Sequence, residues 1–157
     1  MDGTWCATTG SAVLTPSDDL TMLVRSVVVW LVILAVAFAN GALREIWIIP
    51  RMGPQTGHVL STLILCAAIL LSSWLTIRWM RPASSSAAWK IGVVWLVLTE
   101  AFEFLAGYYV FGVAWSQLLA DYNLAQGRIW ALVLLTTATA PALSAHGRGL
   151  ISGVWTR

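Results

Sequence analysis

Residues 91–113 read IGVVWLVLTEAFEFLAGYYVFGV, and the two glutamates, Glu100 and Glu103, are the only charged side chains among them. As a helix rising ~1.5 Å per residue, this run covers ~34 Å, enough to cross the ~30 Å of bilayer hydrocarbon. The carboxyls lie one helical turn apart near its middle. A charged group at that depth costs a few kcal/mol on insertion scales, so ionisable residues there face a protein interior and find partners. The stretch therefore marks a membrane-spanning chain and makes Glu100 and Glu103 the first candidates for a site.

The rest of the chain agrees with that class. Apolar residues make up 59% of the 157 residues and charged residues 10%, against about 45–50% and about 25% in soluble domains. Mean hydropathy is +0.79. The length fits one domain with one core. A net charge of +2, with no basic patch interleaved with aromatics, argues against a nucleic-acid partner. Cys6 and Cys66 form neither a disulfide framework nor a zinc spacing. Neither a cofactor nor a metal is called for.

Three more apolar runs complete the expected architecture, an all-α integral membrane four-helix bundle with short loops. The spans are read at about 26–48, 58–78, 90–113 and 128–144, within a transmembrane domain 22–146. Residues 1–21 form a polar leader, read as disordered or as a mis-called start, and residues 147–157 a cytoplasmic tail. Backbone groups in lipid must be satisfied within the protein, which leaves helices or a closed barrel. Continuous apolar runs do not carry the alternation of a barrel. The leader holds Asp2, Asp18 and Asp19 and no basic residue, unlike a secretory n-region. Read from Met22, the chain also resembles a signal peptide, with Ala37 and Ala39 preceding a cleavage site before Asn40. The apolar stretch Ile46–Ile49 favours a long, uncleaved first span.

The basic residues orient the bundle. With four spans, Arg25, Arg78, Arg81, Lys90, Arg148 and Arg157 share one side and Arg44, Arg51 and Arg128 the other. The positive-inside rule makes the first side cytoplasmic, with both termini inside. The lipid bilayer is the first partner. The small size implies a homo-oligomer or a larger membrane complex.

Counting residues from the cytoplasmic edge places further polar groups toward the outer half of the membrane. Asn40 and Arg44 come from the first span, His58 from the second, Glu100 and Glu103 from the third, and Arg128 from the fourth. These six are the expected buried polar cluster, with Glu45, Ser61, Thr99, Asp121 and Asn123 at its edge. Arg44 is long enough to reach a glutamate. Two carboxyls on adjacent turns in low dielectric disfavour double ionisation unless a cation lies close. That arrangement suits a proton or ion path, and equally a neutralised network that glues helices together. Catalysis finds less support. Glu100-x-x-Glu103 lacks the Glu-x-x-His partners of bundle metal sites, and no nucleophile elbow, P-loop or dinucleotide fingerprint occurs. In the third loop, Asp121 and Asn123 are expected to cap the last helix and pair with Arg128.

Several segments together carry a resemblance: Asn40-Gly41-Ala42-Leu43-Arg44-Glu45, His58 with Ser61, Thr99-Glu100-Ala101-Phe102-Glu103-Phe104 with Gly107, Asp121-Tyr122-Asn123, and Gly127-Arg128-Ile129-Trp130. Over about residues 25–145 the chain resembles small four-helix bacterial inner-membrane proteins of no assigned activity. The resemblance implies four helices and an inner-membrane location. The leading functional expectation is a non-enzymatic membrane component or partner subunit. A proton-linked or ion-conducting protein using Glu100 and Glu103 is the rival, and a membrane-embedded or metal-binding enzyme comes third.

Overall fold

The computed structural model describes residues 16–110, 112 and 130–151, and every element among them is helical. Helix α1, Pro16–Leu43, continues without interruption through a π-helical turn, Arg44–Ile48, and a last α-helical turn, Ile49–Met52. Helix α2 spans Pro54–Met80. Helix α3, Ser85–Leu105, runs on into a second π-helical turn, Ala106–Val110. Helix α4 spans Trp130–Gly147. Three helical stretches, Ser17–Met52, Pro54–Met80 and Ser85–Tyr109, are long and apolar enough to cross a bilayer.

The all-α, four-helix expectation holds, with differences at the ends. The first helix begins at Pro16, inside the stretch read as leader, and Met22 is already buried. Its start has the chemistry of a helix N-terminus: a proline, then Asp18 and Asp19 in the first turn, where they complement the helix dipole. The described part of α4 is not among the long apolar stretches, because Thr136, Thr137, Thr139, Pro141, Ser144 and His146 dilute it. Each of the three threonines turns its hydroxyl back onto the carbonyl four residues earlier, at 2.7–2.8 Å, so none needs water.

The connections follow from local sequence. Pro50 has no N–H and its ring crowds the preceding turn. The chain widens just before it, and the Ile49 N–H bonds to the Arg44 carbonyl five residues back. Gly53, at φ +82°, turns the chain from α1 into α2, a conformation glycine adopts without strain. Helix α2 stops before Pro82. Arg81 caps it in the left-handed conformation, its N–H bonded to the Ile77 carbonyl. Ser84 accepts a hydrogen bond from the Ala87 N–H at 3.1 Å and starts α3, as N-cap serines do. Helix α4 closes with paired bonds, Leu150 N–H to the Ala145 carbonyl and Gly149 N–H to the His146 carbonyl, the Schellman arrangement around a left-handed glycine.

Helix α1 packs on α2 and less extensively on α3, and α4 packs on both α2 and α3. The ring order is therefore α1, α2, α4, α3. Contacts at one end show which termini lie together: Arg25 reaches the Trp79 carbonyl, Lys90 lies 3.6 Å from Asp19, and Gly147 abuts Trp74. The core between the helices is built on Trp95, Ile69, Ile77, Met80 and Ile91, all essentially inaccessible. Small residues let α3 and α4 approach: Ala88, Ala140 and Ala145 are fully buried, and a methyl at Gly92 would collide with the Ala138 carbonyl oxygen. Without a strong hydrophobic drive between helices in lipid, such close backbone contact is the main attraction available. The outward faces are apolar. Leu31, Val32, Leu71, Leu75, Val97 and Leu135 are each more than half exposed.

Candidate functional site

The described members of the expected cluster meet several different partners. Asn40 is buried, 8% exposed, and its Nδ2 donates to the Ser61 carbonyl at 3.0 Å, tying α1 to α2. The Ser61 hydroxyl donates to the His58 carbonyl at 3.2 Å. The His58 residue itself lies on the exposed surface of α2. It is therefore not a buried group, because the opening turns of α2 face outward apart from Gly57, which packs on Ile49.

Arg44 does not reach toward the glutamates as the sequence suggested. Its Nε lies 3.1 Å from Glu45 Oε1, with side-chain exposures of 31% and 60%. The cause is local: the π-helical turn begins at Arg44 and contains no buried residue, so the two charges meet on the outer surface. Glu45, placed at the edge of the cluster, is the partner that Arg44 uses.

Glu103 is engaged by the neighbouring helix. It is partly buried, and its Oε2 accepts a hydrogen bond from Trp130 Nε1 of α4 at 2.8 Å. Glu100, one turn earlier on α3, is also partly buried. Neither glutamate is without a further partner. Arg128, Asp121 and Asn123 fall outside the described residues.

Sequence reasoning missed a second set of polar ties. Trp30 Nε1 of α1 donates to Thr99 Oγ1 at 3.0 Å, and that hydroxyl donates to the Trp95 carbonyl at 2.8 Å. Trp95 Nε1 in turn donates to the Ser26 carbonyl at 2.9 Å, returning to α1. Phe102 packs edge-on against both Trp30 and Phe38, at 6.5 and 5.7 Å between ring centres. The signal was present. Trp30 and Trp95 sit inside apolar runs rather than at their ends, and a buried indole N–H needs an acceptor.

The described polar bonds tie helix to helix. The indole N–H on the Glu103 carboxyl oxygen fixes that side chain's position, and an indole offers no nucleophile. Among the described residues no three His, Cys, Asp or Glu side chains converge as metal ligands would. Among the described residues, the buried Asn40 Oδ1 and Ser73 Oγ have no hydrogen-bond partner. The chain matches no protein-family model, no curated protein and no solved structure.

Proposed function

We propose that this protein is a non-enzymatic, multi-pass component of the bacterial inner membrane, with both termini cytoplasmic. In this reading it is a partner subunit of a larger complex or of its own oligomer, and its intramembrane polar side chains hold the helices in register. The bond between Trp130 and Glu103 carries the proposal. The most conspicuous ionisable group of the third span is engaged by the neighbouring helix, as expected of helix-to-helix glue. The three long apolar stretches and the exposed apolar flanks support the membrane setting. Along α1, Arg25 and Arg44 are 19 residues apart, ~28 Å of helix, which matches the hydrocarbon thickness. The excess of basic residues at the end holding Arg25, Arg78, Arg81, Lys90 and Arg148 supports the orientation.

Glu103→Gln separates this reading from a proton-linked carrier, because glutamine keeps an acceptor for Trp130 and removes the ionisable proton. The expected result is a variant that accumulates, folds and copurifies with the same partner, or the same oligomer, as the wild type. A proton flux in liposomes that the wild type shows and this variant loses would overturn the proposal. Single cysteines at the exposed Ala83 and Gln55, in a background lacking Cys6 and Cys66, test the orientation. Ala83 should be labelled from the cytoplasmic side and Gln55 from the opposite one.

A further inference from the structure

The C-terminal end of α2 gathers four arginines that have no carboxylate partner among the described residues: Arg25 from α1, Arg78, Arg81 at the cap, and Arg148 after α4. Two partly exposed tryptophans of α2 hold two of them in place. The Arg25 guanidinium lies 5.6 Å from the centre of the Trp79 ring and donates to the Trp79 carbonyl at 2.9 Å. The Arg148 guanidinium lies 5.1 Å from the centre of the Trp74 ring. Stacking fixes a guanidinium plane while leaving most of its N–H fork available. Of the five donors of Arg25, one is spent.

Helix geometry arranges these groups around an apolar track. Leu71, Leu75 and Arg78 are spaced i, i+4 and i+7 and are all exposed, so they lie on one outward face. Trp74 and Trp79 flank that face, five residues and thus about 140° apart around the helix. Crossing it, one meets Arg148 on Trp74, then Arg78 above Leu71 and Leu75, then Arg25 on Trp79. The acids nearest in the fold, Asp18 and Asp19, begin α1, and Asp19 is taken by Lys90 at 3.6 Å.

We propose that this arc is a binding site for an anionic phospholipid, its phosphate held by Arg78, with Arg25 and Arg148 drawing the anionic headgroup from the two flanks, and its acyl chains laid along Leu71 and Leu75. The proposal rests on the membrane setting argued above. Charge complementarity favours a phosphate, which arginine recognises through paired N–H donors. The apolar track directly below favours a phosphate that carries acyl chains over a free one. Each basic side chain near an anionic lipid surface contributes about fivefold in affinity.

The test uses full-length protein purified in detergent, titrated with phosphatidylglycerol or phosphatidylcholine and read by native mass spectrometry. The wild type should retain one phosphatidylglycerol in preference to phosphatidylcholine, and millimolar inorganic phosphate should not displace it. Arg78→Gln, which removes an exposed side chain, should weaken retention about fivefold. Combined Arg25→Gln and Arg148→Gln should weaken it more than tenfold. Arg51→Gln is the control: Arg51 also stacks on a tryptophan, Trp47, at 4.2 Å, but at the opposite end and without the arc. It should leave retention unchanged. Equal retention of both lipids, equal losses for Arg78→Gln and Arg51→Gln, or displacement by phosphate would each overturn the site. Failure of the membrane setting would show separately, as wild-type protein in the soluble fraction before any lipid is added.

Discussion

Replacing Gly92 with alanine adds one methyl group at the closest approach of α3 and α4, where the added carbon would fall well inside contact distance of the Ala138 carbonyl oxygen. In an unconstrained helix the change would be favourable by about 1 kcal/mol, since glycine is a poor helix former. Here the obstacle is backbone, which cannot rotate away as the end of a side chain can. Overpacking of this kind costs about 1–3 kcal/mol, and a rigid obstacle places the cost at the upper end. The net expectation is a loss of about 2 kcal/mol, close to thirtyfold in the folded-to-unfolded ratio. Gly41 supplies the comparison, because a methyl there meets nothing within 4 Å. Reversible unfolding in mixed micelles, followed by tryptophan fluorescence, measures both variants. Gly92→Ala should unfold at markedly lower denaturant, and Gly41→Ala at the same or higher denaturant than the wild type. If Gly92→Ala is as stable as Gly41→Ala, the α3–α4 packing described above is wrong.

Two further variants examine the polar ties. Thr99→Val preserves shape and removes the acceptor of the Trp30 indole N–H, so it should cost about 1 kcal/mol in the same unfolding assay; no change would mean that Trp30 finds another partner. At Asn40 the direction depends on the replacement. Alanine removes the tie to Ser61 and leaves a void, for an expected loss of about 1–2 kcal/mol. Leucine fills the space and also eliminates Oδ1, which has no partner among the described residues, so it should be near neutral or stabilising. A leucine variant as unstable as the alanine variant would indicate that Oδ1 is satisfied in the membrane.

The architecture was legible because apolar length is a strong signal: the spans read at about 58–78 and 90–113 largely coincide with the apolar helical stretches 54–80 and 85–109. The start of α1 was harder to read. Residues 16–21 look polar by composition, yet a proline followed by two aspartates is a helix start, and Met22 follows directly into the core. The polar cluster was only partly legible, since depth along a helix can be counted from sequence whereas the direction of a side chain depends on helix rotation and local widening. Asn40 points inward and finds Ser61. Arg44, four residues later, begins a π-helical turn imposed next to Pro50 and ends beside Glu45 on the outside. The tryptophan ties escaped because Trp47, Trp74, Trp79 and Trp89 lie near helix ends, where tryptophans favour the membrane interface, which masked the different situation of Trp30 and Trp95.

The claim that intramembrane polar residues serve to bind helix to helix is tested most directly by a double-mutant cycle between Glu103 and Trp130. Stability is measured for Glu103→Leu, Trp130→Phe and the combination. The bond at 2.8 Å between them predicts a coupling of about 0.6 kcal/mol, the mean of double-mutant cycles for hydrogen bonds between transmembrane helices, and at most about 1.7, with Glu103→Gln retaining most of the stability. Strictly additive losses, or a Glu103→Leu variant as stable as the wild type, would contradict the account and return Glu103 to the status of a group held for another purpose.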